Sequence, residues 1–251
     1  MSKSVVPFLL PQDPQGRAVC GMFGRIAGWY DFLNHFLSLG LDRGWRRELV
    51  QVMAPGCTGY MLDLAAGTLD VSLRMLRVYP RLKVLAMDFS LPMLQRGQAK
   101  IPAGQHRRIQ AVLADGRVLP LPAASINVVT IAFGIRNIQP RVVVLAEAFR
   151  VLAPGGLVGI LEFGGGDRKV WSGLYNFYLH HIVPALGCIF SGDDNAYTYL
   201  VESIDSLPDA VNLVAELEAT GFSEISYRPL LSGIVYLHVG HKPLICNIGR
   251  I

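Results

Sequence analysis

The 251-residue chain carries 23 basic and 19 acidic side chains, a net charge of +4, and only 17% of its residues are charged. That length suits one sizeable α/β domain and is short for two; the mild charge, with no Lys/Arg cluster interleaved with aromatics, speaks against a nucleic-acid partner and fits weak attraction to an anionic lipid surface. Hydrophobic residues make up 51% of the chain, which points to a large buried parallel sheet, a greasy substrate, a membrane-surface habit or an oligomer interface such as a homodimer.

Residues 1–16, with a short apolar patch broken by prolines, read as a loose arm, and they lack the long apolar core of a signal peptide. From Arg17 to Met53 the periodicity is helical, broken near Gly40, and this stretch forms an N-terminal cover. "APGCTG" is a turn, and after it strands and helices alternate. "YMLDLA" predicts a first strand, Thr68–Tyr79 a helix, "LKVLAMD" a second strand and Leu91–Lys100 a helix. "RIQAVLAD" and "SINVVTIAFG" predict two more strands, followed by a helix over Pro140–Leu152 with Pro140 near its first turn. "APGG" should end that helix before a strand, "LVGILEF". Trp171–Phe190 is long and apolar, but Asn176, His180, His181 and Pro184 make it a poor spanning helix; it reads as a buried or interfacial helical segment. It belongs to a substrate-side insertion at about 167–208 within a single domain, 17–245. A helix at Asp209–Thr220 and two strands in "FSEISYRPLLSGIVYLHVGHK" complete the chain.

Strands alternating with helices imply a doubly wound, mostly parallel Rossmann-like sheet, whose ligand lies beyond the carboxyl ends of the strands. Cys20, Cys57, Cys188 and Cys246 are scattered without a C-x-x-C pair, so neither a metal site nor a disulfide framework is expected, and a reducing cytoplasm is the natural setting.

The loop "LDLAAGTLD" holds one glycine, Gly67, and so lacks the G-x-G-x-x-G of a dinucleotide site and the G-K-[ST] of a P-loop. Asp88, about twenty residues further on, is placed to hydrogen-bond ribose hydroxyls. A ribose without a pyrophosphate fits S-adenosylmethionine. Asp63 near the turn is expected at the ammonium end, and Asp115 after the third strand near the adenine amine.

"YDFLNHFLSLGLDRGWRREL", "LDLAAGTLDVSLRML", "MDFSLPML", "ADGRVLPLP", "IAFGIRNI", "EAFRVLAPGGLVGILEF", "AYTYLVESI" and "SGIVYLHVGHK" resemble, in order, the ubiquinone/menaquinone biosynthesis C-methyltransferase family. The resemblance spans about residues 20–242, and the "GIRN" and "YTYLVESI" segments are its most specific parts. It implies a class I methyltransferase fold, a seven-stranded sheet with an antiparallel last strand. It also implies methylation of a ring carbon of a demethylated, polyprenylated quinol. Cofactor contacts carry over to Thr68, Asp88, the Asp115–Gly116 pair and Ala132, the last standing where the family usually has serine. The family loop reads D-L-A-G-G-T-G-D; Ala65 agrees with it, whereas Ala66 and Leu69 depart.

Transfer to carbon needs a base to remove a phenolic proton and groups to align the ring. Tyr30 and Asp31 on the covering segment, Arg136 and Asn137 in "GIRN", and His181 are the catalytic candidates, with His181 the natural base near neutral pH. Tyr178, Tyr197 and Tyr199 are candidates for the substrate pocket, and the Trp171–Phe190 stretch for the isoprenoid tail. Two alternatives stay open: a methyltransferase for oxygen or nitrogen in another apolar small molecule, and a degenerate, non-catalytic scaffold, which Leu69 favours. A lipophilic substrate fits transient association with the inner face of a membrane.

Overall fold

The computed structural model describes residues 6–7, 13–28, 30–54, 58–164 and 210–244. One sheet organises them, in the order β1-β4-β3-β2-β5-β6-β8-β7. Its strands are β1 (Val6–Pro7), β2 (Tyr60–Leu64), β3 (Lys83–Asp88), β4 (Ile109–Leu113), β5 (Ile126–Ala132), β6 (Leu152–Phe163), β7 (Ser223–Leu230) and β8 (Val235–His241). Strands β1 to β6 pair in parallel, and β8 runs antiparallel between β6 and β7. β1 is a two-residue addition at the β4 edge, inside the segment read as an arm; the other strands form the expected seven-stranded sheet with its last strand antiparallel.

The central strands read as apolar runs because helices cover both faces. On one face lie α3 (Asp42–Val52), α4 (Asp70–Val78) and α5 (Leu91–Ala99), which contribute Leu49, Met53, Leu73, Leu76 and Leu94 to a core around Met61 and Val128. On the other, α6 (Arg141–Val151) and α7 (Ala210–Thr220) pack Leu145, Ala148, Leu213 and Leu217 around Leu62, Val129 and Ile160. α3 approaches β6 so closely that a Cβ on Gly159 would lie 2.8 Å from Leu49 Cδ1 and from Met53 Sδ. Two further helices precede α3: α1 (Pro14–Ile26), whose cap Asp13 accepts a hydrogen bond from Gly16 N, and α2 (Tyr30–Leu37). The expected break at Gly40, with φ of 77°, separates α2 from α3.

Three local expectations shift. α4 begins at Asp70 rather than Thr68, because Leu69 adopts a left-handed conformation, with φ of 68°, before the first helical residue. Pro140 is extended and caps α6 from outside. "APGG" does not separate α6 from the next strand. β6 starts at Leu152, paired with Ile126, and the irregularity before the Val128–Leu157 pair absorbs the insertion. Lys242 holds it there, its N–H donating to Gly156 O at 2.9 Å and its carbonyl accepting from Gly155 N at 2.8 Å. These bonds come from beyond β8, remote in sequence.

The Trp171–Phe190 stretch, with Tyr178 and His181, and residues Tyr197 and Tyr199 lie outside the described residues. Among the described residues no helix is long and apolar enough to cross a membrane.

Candidate active site

Parallel strands end on the same edge of a sheet, so the loops after β2, β3, β4 and β5 converge. The β2 loop turns sharply through left-handed Ala65, Gly67 and Leu69, with φ of 56°, 51° and 68°. Gly67 N–H donates to Asp88 Oδ2 at 2.8 Å, and Ser90 N–H donates to Oδ1 at 2.8 Å. Asp88 is buried, and its desolvation outweighs these bonds, pushing its pKa up to about 6. The two carboxylate oxygens offer about four acceptor directions, more than the bonds from Gly67 and Ser90 use.

Asp63 is set differently. Its Oδ1 accepts from Thr130 Oγ1 at 2.8 Å, and its Oδ2 accepts from Ser72 N–H at 3.1 Å and Ser72 Oγ at 2.6 Å. It is 1% exposed, and burial raises its pKa to about 6 despite those bonds. Asp63 therefore ties β2, β5 and α4 together.

Asp115 ends β4's loop with both oxygens on Arg117, whose Nη2 lies 2.6 Å from Oδ2. The same nitrogen reaches Asp13 Oδ2 at 2.5 Å, joining the cap of α1 to this corner. Gly16 N–H and Arg117 together hold the Asp13 carboxyl below the usual range. Gly116 packs between Leu64 and Ile138, and Ala132 closes β5 half-buried. Leu69 is fully buried in the core, so its side chain is turned from the cleft.

On the β5 side Arg136 is buried. Its Nη1 donates to Glu162 Oε1 at 2.5 Å and to Phe133 O at 2.9 Å, and its guanidinium lies 5.4 Å from the Phe163 ring centre. Asn137 ends the tight turn Ile135–Asn137, its N–H donating to Gly134 O at 3.0 Å. Tyr30, the first residue of α2, has its hydroxyl pKa raised by burial; Asn34 offsets this by a hydrogen bond, and Arg136, Arg46 and Asp88 all act on it electrostatically. Tyr30 packs edge-on against Phe23 of α1, their ring centres 6.0 Å apart, which joins the two covering helices.

Asp31 joins that cover to the cofactor loop. It accepts a short hydrogen bond from Thr68 Oγ1 and pairs with Lys100 Nζ at 2.9 Å. Lys100 also reaches Asp70 at 2.7 Å. Asp70 lies 3.8 Å from Arg46, which pairs closely with Asp42. Burial alone would raise the Asp42 pKa, but Arg46, His35 and Ser38 outweigh it and hold it low. Arg46, Asp70 and Lys100 were not singled out from the sequence. Asp42 and Arg46 stand at i,i+4 spacing, a helix ion-pair signal; nothing local marks Lys100.

Among the described residues no group of three or more His, Cys, Asp or Glu side chains could hold a metal ion. A carboxylate with acceptor directions to spare, a tight loop without a phosphate-binding glycine pattern, and apolar Leu64 and Ile138 beside the Asp115 corner fit S-adenosylmethionine.

The chain is 40% identical to a ubiquinone/menaquinone biosynthesis C-methyltransferase from Syntrophotalea carbinolica, over 89% of its own length and 93% of that protein's. It is 38% identical to a demethylmenaquinone methyltransferase from Thermus thermophilus, over 88% of its length and all of that protein's, 100%. Solved structures share the fold at low identity. A phosphoethanolamine N-methyltransferase of Haemonchus contortus bound to S-adenosylmethionine matches 79% of this chain and 52% of its own, with a TM-score of 0.61 and 15% identity. The [4+2]-cyclase SpnF matches 95% and 99%, with a TM-score of 0.67 and 14% identity. Residues 12–242 match the profile of the ubiE/COQ5 methyltransferase family. On that match and on the identities to its curated relatives, the chain belongs to the ubiE/COQ5 methyltransferase family, on the class I S-adenosylmethionine-dependent fold.

Proposed function

We propose that this protein transfers a methyl group from S-adenosylmethionine to a ring carbon of a polyprenylated demethylquinol in quinone biosynthesis. The observation that carries this reading is the family match over residues 12–242, in a chain that sets Asp88 at the end of β3 and Arg136 just past the end of β5, on the same edge of the parallel sheet. The cofactor supplies an electrophilic methyl on a sulfonium with a neutral leaving group. The chain's residues bind, align and stabilise.

Asp88 accepts from the ribose, and the Asp115–Gly116 pair borders the adenine. Thr68, steadied by Asp31, shapes the loop, and Ala132 offers backbone only. Asp63, which ties β2 to β5 and α4, sets the loop that faces the amino-acid end of the cofactor. On the acceptor side, Arg136 is held rigidly by Glu162 and Phe133 O, so a fixed positive charge faces the oxygen that becomes a phenolate. Proton loss from that oxygen raises electron density on the neighbouring ring carbon. Tyr30 and Asn137 orient the ring, and His181 is the proposed base. Tyr178, Tyr197 and Tyr199 line the ring pocket, and the Trp171–Phe190 stretch takes the isoprenoid tail. The chain acts as a single domain, 17–245, with an N-terminal cover at 17–53 and a substrate-side insertion at about 167–208. Such a substrate is reached at a membrane's inner face, so transient surface association of a cytoplasmic protein, as monomer or homodimer, belongs to the same reading.

Quinone profiling by mass spectrometry in a strain lacking the protein tests it. A quinone one methyl group lighter should accumulate, and the purified protein should methylate that species in its reduced form. An unchanged quinone profile refutes the reading.

A further inference from the structure

Across the cleft the parallel strand ends follow the order β4, β3, β2, β5. Asp115 stands past the first, Asp88 at the second, the Ala65–Leu69 loop past the third and Phe133 past the fourth. S-adenosylmethionine is built in a line: adenine, ribose, sulfonium, amino-acid tail. With adenine at Asp115 and ribose at Asp88, its tail falls on the β2–β5 side. The tail ends in a carboxylate, and a carboxylate leaving water needs a fixed counter-charge.

Arg46 stands on that side. Its side chain is 9% exposed. Its guanidinium lies 5.4 Å from the ring centre of Phe133, and its Nη2 is 3.8 Å from Asp70, the residue that follows the loop. Asp42 takes Nη1. The Asp70 contact is longer than a hydrogen bond, and a guanidinium carries five N–H donors in a flat fork suited to a second carboxylate. The surrounding charges also match. Asp31, Asp42 and Asp70 against Arg46 and Lys100 leave one negative charge in excess. The cofactor, with sulfonium and ammonium against one carboxylate, carries one positive charge.

We propose that Arg46 binds the carboxylate of the cofactor's amino-acid tail. Asp42 orients the guanidinium, and Asp70 and Asp31 supply the negative surroundings in which the tail's ammonium is at home. The position of α3, pressed onto β6 at Gly159, delivers this cation to the loop. The inference rests on the cofactor assignment and is independent of which acceptor is methylated.

Calorimetric titration with two ligands tests it: S-adenosylhomocysteine, which has the tail, and 5′-methylthioadenosine, which keeps the adenosine and thioether without it. Arg46→Gln should weaken S-adenosylhomocysteine by about 10- to 100-fold, the worth of a charge-assisted bond, and 5′-methylthioadenosine by less than about twofold. Arg46→Lys, which keeps a charge beside Asp42, should show a smaller loss confined to the same ligand. Equal weakening of both ligands, or unchanged binding of S-adenosylhomocysteine, overturns the proposal. If Arg46→Gln does not fold, the selectivity of Arg46→Lys decides in the same way. Wild-type protein that binds neither ligand defeats the cofactor assignment and this proposal with it. Wild-type protein that binds S-adenosylhomocysteine without methylating a demethylquinol defeats only the acceptor reading.

Discussion

Leu69 occupies the space that Gly97 leaves by having no side chain: a Cβ on Gly97 would lie 2.3 Å from Leu69 Cγ and 2.9 Å from the Thr68 carbonyl carbon. The two are coupled across α4 and α5. Leu69 holds a left-handed backbone, at φ of 68°, which costs a leucine roughly 1–2 kcal/mol. Its side chain is wholly buried, and truncating such a leucine costs about 2–5 kcal/mol. Burial wins. Leu69→Gly should therefore lose about 1–3 kcal/mol of stability in chemical denaturation, with S-adenosylhomocysteine affinity unchanged. Gly97→Ala should destabilise the wild-type protein and do so much less in the Leu69→Gly background. A double-mutant cycle showing no coupling would contradict the packing.

Asp88→Ala should abolish cofactor binding while the fold survives, since each ribose hydrogen bond to a carboxylate is worth about 1.5–3 kcal/mol. The raised pKa of Asp88, about 6, adds a pH signature. The ionised carboxylate is the acceptor, so the affinity for S-adenosylhomocysteine should fall as pH drops below about 6. A flat affinity between pH 7 and pH 5 would argue against ribose contact; the two pH values are about one unit either side of that pKa.

Asp63 leads to a stability prediction with a definite sign. Its folded pKa of about 6 exceeds the ordinary 3.8, so between these values the folded state holds a proton the unfolded state has lost. Stability contributed by protonated Asp63 is present below pH 3.8 and is lost as pH rises toward about 6, after which the penalty is constant. Asp88 acts in the same direction over the same window. Asp63→Asn should therefore flatten the decline of stability across that window, read from denaturant midpoints at each pH. A slope equal to that of the wild type would place the Asp63 pKa at its ordinary value.

Arg136→Lys should lower turnover at saturating cofactor by about tenfold or more while leaving S-adenosylhomocysteine affinity within about threefold, because a lysine keeps the charge but loses the planar guanidinium that Glu162 and Phe133 O hold through Nη1. Arg136→Ala is a harsher change. It strands buried Glu162, which is 2% exposed, and should cost about 3–5 kcal/mol of stability. Loss of cofactor binding with normal turnover at saturation would move Arg136 out of the acceptor side.

The sequence by itself determined the alternation of strands and helices and the break at Gly40. These follow from apolar periodicity and from turn residues, which act over a few neighbours. Asp88, Asp115 and Arg136 could be named early for the same reason: each stands at or just after the end of a recognisable strand. Tertiary structure decided how the side chains are held. Asp63 and Asp88 are both acids on adjacent parallel strands, yet the first accepts from Thr130 and Ser72 and so ties β5 and α4 to β2, whereas the second accepts from the backbone of Gly67 and Ser90 in the loops beside it. "APGG" looks like a stop, but Lys242 draws it into β6. Leu69 breaks the loop pattern, and only the gap at Gly97 shows where its side chain goes. The line of charges from Asp42 through Arg46, Asp70 and Lys100 to Asp31 has no local signature beyond one helical pair, because its members come from four helix regions that meet only when α2 and α3 fold over the sheet. Periodicity is written in near neighbours; burial and charge pairing depend on residues far apart in the chain.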